Sequence, residues 1–137
     1  MARGGAGVWS GSAIERPLLD KLGVKPAMKI SLAGHDDPVF REALKERGAD
    51  VSVQVRSHSD IIFMHASDAR GLRRIAQLRS KIKPNGAIWV LRPKGGALRE
   101  TDVIDAGLAA GMVDNKICSF SDELSAMRLV IRLRDRP

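Results

Sequence analysis

The chain has 137 residues and a net charge of +7, with one cysteine and five aromatic residues. That length suits one domain that buries about two-thirds of its unfolded surface, so no disulfide or metal staple is required. Cys118 has no partner within the chain, no stretch is long and apolar enough to span a membrane, and a reducing cytosol is the expected setting. The charge is uneven. Residues 1–68 hold nine Lys or Arg against nine Asp or Glu, whereas residues 69–137 hold fourteen against seven. The second half therefore carries the whole excess and can attract anions. Of Trp9, Phe40, Phe63, Trp89 and Phe120, three lie in apolar surroundings, which leaves little for stacking on bases.

Residues 1–13, with Gly4, Gly5, Gly7 and Gly11, read as a flexible arm, and residues 14–137 as a single α/β domain. Pro17 to Leu22 reads as a short helix closed by Gly23. Met28 to Ala33 is the first strand. Asp36 and Asp37 precede Pro38, which suits the first position of a helix whose stripe is Val39, Phe40, Ala43 and Leu44. Gly48 stops it, and Val51 to Val55 forms a second strand.

Ile61 to Met64 is a continuous apolar run within Asp60–His65, the mark of a strand buried on both faces. Gln54 to Ser59 is too short to hold a crossover helix before it. From Asp68 a helix sets Leu72, Ile75, Leu78 and Ile82 on one side and Arg70, Arg73, Arg74 and Lys81 on the other. Arg79 falls near the apolar side, with its stem packed and its head in water. Pro84-Asn85-Gly86 turns the chain into a second buried run, Ala87 to Leu91. Asp102 to Ala110 is a helix closed by Gly111. Val113 to Ser119 and Met127 to Leu133 are joined by a loop too short for anything but an antiparallel pair. In the last strand Met127, Leu129, Ile131 and Leu133 face the core, and Arg128, Val130, Arg132 and Arg134 a wetter side.

The stretch Ile82-Lys83-Pro84-Asn85-Gly86-Ala87-Ile88-Trp89-Val90, with Gly111-Met112-Val113, resembles class I S-adenosylmethionine-dependent methyltransferases. The resemblance implies a Rossmann-like three-layer sandwich, mostly parallel, ending in an antiparallel strand pair. Three further segments are similar to a small bacterial family classed as a domain of unknown function. They are Pro17 to Pro26, Ile88-Trp89-Val90 with Pro93-Lys94, and Val113 to Cys118. That family has no established activity, and Leu124-Ser125 departs from the Trp-Ser expected near its last strand.

The cofactor chemistry is not met. Ala33-Gly34-His35-Asp36-Asp37 offers one glycine and two carboxylates where a cofactor loop needs several bare amides. Val53-Gln54-Val55-Arg56 lacks the acid that would hold ribose hydroxyls. No S-adenosylmethionine binding and no other cofactor are expected. His35, Asp36, Asp37, His65 and Asp68 lack any metal-ligand spacing, so no metal is expected either. Cys118 reads as an inert packed thiol. The expected function is a noncatalytic binding or regulatory module taking an anionic small molecule at the carboxyl ends of the strands. Arg92 and Lys94 supply charge, Gly95 lets the loop bend or a ligand approach, Ser67 opens a helix whose N-terminal N–H groups favour anions, and Gly34, His35 and His65 complete the candidate ligand-binding set. One alternative is a divergent S-adenosylmethionine-dependent methyltransferase. Another is weak nucleic-acid binding through Arg70, Arg73, Arg74 and Lys81.

Overall fold

The computed structural model describes residues 12–34 and 37–137, with side chains from Pro17 onward. The proposed arm lies outside the described residues up to residue 11. Ser12 and Ala13, assigned to it from sequence, instead open helix α1, Ser12–Leu22. Pro17 is therefore inside the helix rather than at its start. The ring removes one internal hydrogen bond, and burial of Leu18, Leu19 and Leu22 holds the segment helical regardless.

The remaining elements are β1 (Lys29–Ala33), α2 (Pro38–Glu46), β2 (Asp50–Ser52), β3 (Ser59–His65), α3 (Ala69–Leu72), α4 (Arg74–Arg79), β4 (Ile82–Pro93), α5 (Glu100–Ala109), β5 (Met112–Ser119) and β6 (Leu124–Ile131). They build one six-stranded sheet in the order β2-β1-β3-β4-β6-β5. The first four strands are parallel, and β6 runs antiparallel to both β4 and β5. The two apolar runs are neighbouring central strands, with Ile62 opposite Ile88 and Phe63 opposite Trp89. Alternate residues of these strands serve opposite faces. Ile61, Phe63, Trp89 and Leu91 pack beneath α1 and α2, and Ile62, Met64, Ile88 and Val90 beneath α3, α4 and α5.

Several local expectations change. The helix from Asp68 is two short helices broken at Arg73, and Ile82 has already entered β4. β2 ends at Ser52, and Val53 is half exposed. The final strand stops at Ile131, and Leu133, expected in the core, lies in a short 3-10 turn and is 79% exposed. Val130, placed on the wet side, is buried. Arg79 is half-buried against Gly111, and its Nε is enclosed without a hydrogen-bond partner among the described residues.

Two devices replace regular structure. No helix separates β2 from β3. Instead Arg56 turns back under the sheet, bonding both Asp50 carboxylate oxygens at 3.1 Å, the Asp50 carbonyl at 2.7 Å and the Ile30 carbonyl at 3.1 Å. Its backbone N–H donates to Ser31 Oγ, which shares a hydrogen bond with Ser59 Oγ, and Ser59 Oγ donates to the Arg56 carbonyl. The second device is an irregularity inside β4, where Pro84-Asn85-Gly86 bulges out between the Ser59–Ile82 and Ile61–Ala87 pairs. Gly86 is required there. A Cβ would sit 2.9 Å from the Asp60 carbonyl and 3.1 Å from those of Ser59 and Lys83. Gly86→Ala should therefore destabilise the protein by roughly 1–3 kcal/mol, measured by urea unfolding, because fixed backbone atoms must shift. An unchanged midpoint would show that the bulge is pliable.

Candidate functional site

The strand order reverses between β1 and β3. The chain leaves β1 toward β2 on one side, and β3 returns on the other. In open sheets of this kind ligands sit outside the carboxyl ends of the strands at such a reversal. Here that edge is formed by Gly34, by His65-Ala66-Ser67 and by Arg92. β1 and β3 stay paired to Ala33–Met64, and the Ala66 N–H bonds the Leu91 carbonyl, so the three chain ends lie side by side. Gly34 leaves β1 with a φ of +73°, a conformation that suits glycine.

α4 then reaches into this edge. The Arg74 guanidinium lies against Gly34, with one terminal nitrogen 2.8 Å from where a Cβ would stand. Arg74 is half-buried and makes no hydrogen bond or ion pair to a described residue. Helical periodicity alone groups it with Arg70, Arg73 and Lys81 as a basic helix face. The break at Arg73 separates them. Arg70 is exposed on α3, Arg73 faces α5, and Lys81 sits at the opposite end of the sheet, where its carbonyl receives the Ser59 N–H.

The other sequence-chosen residues occupy different stations. Arg92 is half-buried and donates to the Leu98 carbonyl at 3.1 Å, bracing the loop that follows β4. Lys94 is exposed. Its Nζ bonds Ser119 Oγ at 2.6 Å, and its N–H bonds the Glu123 carbonyl. Gly95, with a φ of +70°, borders open space. His65 is half-buried at the end of β3, and Ser67 is exposed. His35 lies outside the described residues. The structure thus sets Arg74 against Gly34, at the edge where β3 and β4 also end, while Lys94 is bonded to Ser119 of β5. The start of α3 does not supply a free anion-binding end. It is one turn long, and the Asp68 carboxylate already accepts the Gly71 N–H at 2.9 Å.

A separate groove of about 910 Å3 runs between α3–α4 and α5. Leu72, Ala76, Leu98 and Ala106 line it, and Arg73, Asp102 and Asp105 rim it. Asp102 is engaged, since it accepts the Arg99 N–H at the start of α5. Cys118 is half-buried, and burial pushes its thiol up against the opposing pull of Lys116 and Lys21. It is correspondingly less nucleophilic at neutral pH. Among the described residues no three His, Cys, Asp or Glu groups gather as metal ligands, and no helix is long and apolar enough to cross a membrane.

No family model matches this chain, and no curated protein does. Solved structures do share its fold. One is an S-adenosylmethionine-dependent methyltransferase from Aquifex aeolicus, 13% identical, with a TM-score of 0.66 over 88% of this chain and 93% of that one. A TehB-like methyltransferase from Corynebacterium glutamicum is 15% identical, with a TM-score of 0.57 over 86% and 87% of the two chains. The magnesium protoporphyrin IX methyltransferase from Synechocystis, solved with bound S-adenosylmethionine, is 11% identical, with a TM-score of 0.57 over 88% and 77%. The chain therefore has the Rossmann-like fold of class I S-adenosylmethionine-dependent methyltransferases, at sequence identities that speak for the fold alone.

Proposed function

We propose that this protein is a noncatalytic binding module whose strand-end crevice takes an anionic small molecule. The observation that supports this most is Arg74. A half-buried guanidinium without a partner among the described residues rests on Gly34, at the strand reversal where open α/β sheets hold ligands. Desolvating a cation without an acceptor is costly, and a carboxylate or phosphoryl group arriving there would offset that cost with charge-assisted hydrogen bonds. His65 and Ser67 supply further polar groups at this edge, and Arg92 holds the neighbouring loop in place through the Leu98 carbonyl.

We read the protein as cytosolic and as similar to the small bacterial family of unknown function whose segments it shares. A divergent methyltransferase is the second reading, favoured by the shared fold. Against it stand the single glycine of the first loop and the absence of an acid at the end of β2, where Ser52 accepts the Gln54 N–H.

A thermal-shift comparison of wild type and Arg74→Met with ATP, AMP and citrate tests the proposal. At least one of these anions should raise the wild-type melting temperature, since a ligand of the folded state stabilises it. The rise should vanish in Arg74→Met, while the ligand-free stability stays within about 0.5 kcal/mol of wild type. No rise with any of them, or an equal rise in the variant, would remove the crevice from consideration.

A further inference from the structure

The antiparallel end of the sheet carries a second set of cations. In register, Arg128 of β6 stands between Trp89 of β4 and Lys116 of β5. Side chains directly opposite in antiparallel strands share a face, so the three form one row on the α1 side. α1 ends beside this row. The Trp89 Nε1–H donates to the Leu22 carbonyl at 3.0 Å, and Lys116 Nζ donates to the Lys21 carbonyl at 2.6 Å. Beyond β6 the chain turns back, and Arg136 donates from Nε to the Ile131 carbonyl at 3.0 Å. Its charge bears on Arg128.

Lys116 and Arg128 thus share one face, the end of α1 brings Lys21 beside it, and Arg136 is near enough for its charge to bear on Arg128. None of them forms an ion pair among the described residues. Arg128 is the most exposed to this imbalance. It is half-buried and makes no hydrogen bond to a described residue, and burial together with Arg136 lowers its pKa. Packing alone does not call for this arrangement, because an apolar side chain at 128 would cover Trp89 without gathering like charges.

We infer that this face is a second binding site, and that it takes the phosphoryl groups of a small polyphosphorylated molecule. Several converging cations match a multivalent anion better than a single carboxylate, and the guanidinium fork suits phosphoryl oxygens. A nucleic-acid strand fits less well, because Phe40, Phe63, Trp89 and Phe120 are all buried and leave no described aromatic for bases to stack on. The inference is independent of the strand-end crevice, since β1 and β6 are separated in the sheet by β3 and β4.

The test is a titration of inorganic pyrophosphate at fixed ionic strength, followed by amide NMR shifts in wild type, Arg128→Met and Arg74→Met. Saturable shifts should centre on Lys116, Arg128 and Arg136 in wild type and in Arg74→Met. In Arg128→Met, which keeps the apolar stem, affinity should fall at least about ten-fold, with no loss of ligand-free stability. Shifts scattered over the surface, unchanged affinity in Arg128→Met, or a large loss of stability in that variant would overturn the site. A single-stranded oligonucleotide binding at this face where pyrophosphate does not would overturn the small-molecule assignment.

Discussion

Trp89→Ala should destabilise the protein by roughly 3–5 kcal/mol, the range for truncating a fully buried aromatic. Trp89 has no exposed surface and lies in the second central strand, opposite Phe63 on one side and Arg128 on the other. Its indole N–H also satisfies the Leu22 carbonyl at the end of α1. The substitution opens a cavity beneath α1 and leaves that buried carbonyl without its donor. Trp89→Phe fills most of the cavity but restores no donor, so it should fall between the two. Urea unfolding measures both. A loss below about 1 kcal/mol for Trp89→Ala would contradict the packing of α1 on this strand.

Arg56→Ala should be the second large effect, about 2–3 kcal/mol. The exposed ion pair with Asp50 contributes little of this, since water screens it. The main loss is the bond to the part-buried Ile30 carbonyl, and the exposed Asp50 carbonyl, which water can reach, adds less. Arg56→Lys should recover only part of the loss, because one ammonium cannot span the carboxylate and both carbonyls. If Arg56→Ala unfolds at the wild-type urea concentration, the β2–β3 connection is held by other means.

The fold was legible because burial on both faces writes a continuous apolar run into a strand, as in Ile61–Met64 and Ala87–Leu91. The antiparallel end was legible from the short link of Phe120 to Glu123. The absence of a helix between β2 and β3 could also be read from chain length. Its replacement could not, because nothing local marks Arg56 as a residue that folds back on Ile30. The break at Arg73 was hidden as well, since the apolar spacing of Leu72, Ile75 and Leu78 continues across it. Leu133 kept the alternation of β6 but fell past the last paired residue, where an apolar side chain has no sheet to cover.

The site was read less completely than the fold. Gly34, His65 and Ser67 follow strands, so their place at the sheet edge followed from the strand assignments. Arg74 did not, because helical phase says which side of α4 it leaves from and not where a long side chain ends. Lys94 was chosen for its position after β4, yet the antiparallel pair that this position adjoins offers it Ser119, which draws it away from the crevice.

On the function proposed above, this sheet edge takes an anion at Arg74 and not S-adenosylmethionine. Calorimetric titration of S-adenosylmethionine into the wild-type protein tests it most directly. No saturable binding in the micromolar range is expected. A micromolar or tighter dissociation constant would contradict it and establish the crevice as a working cofactor site.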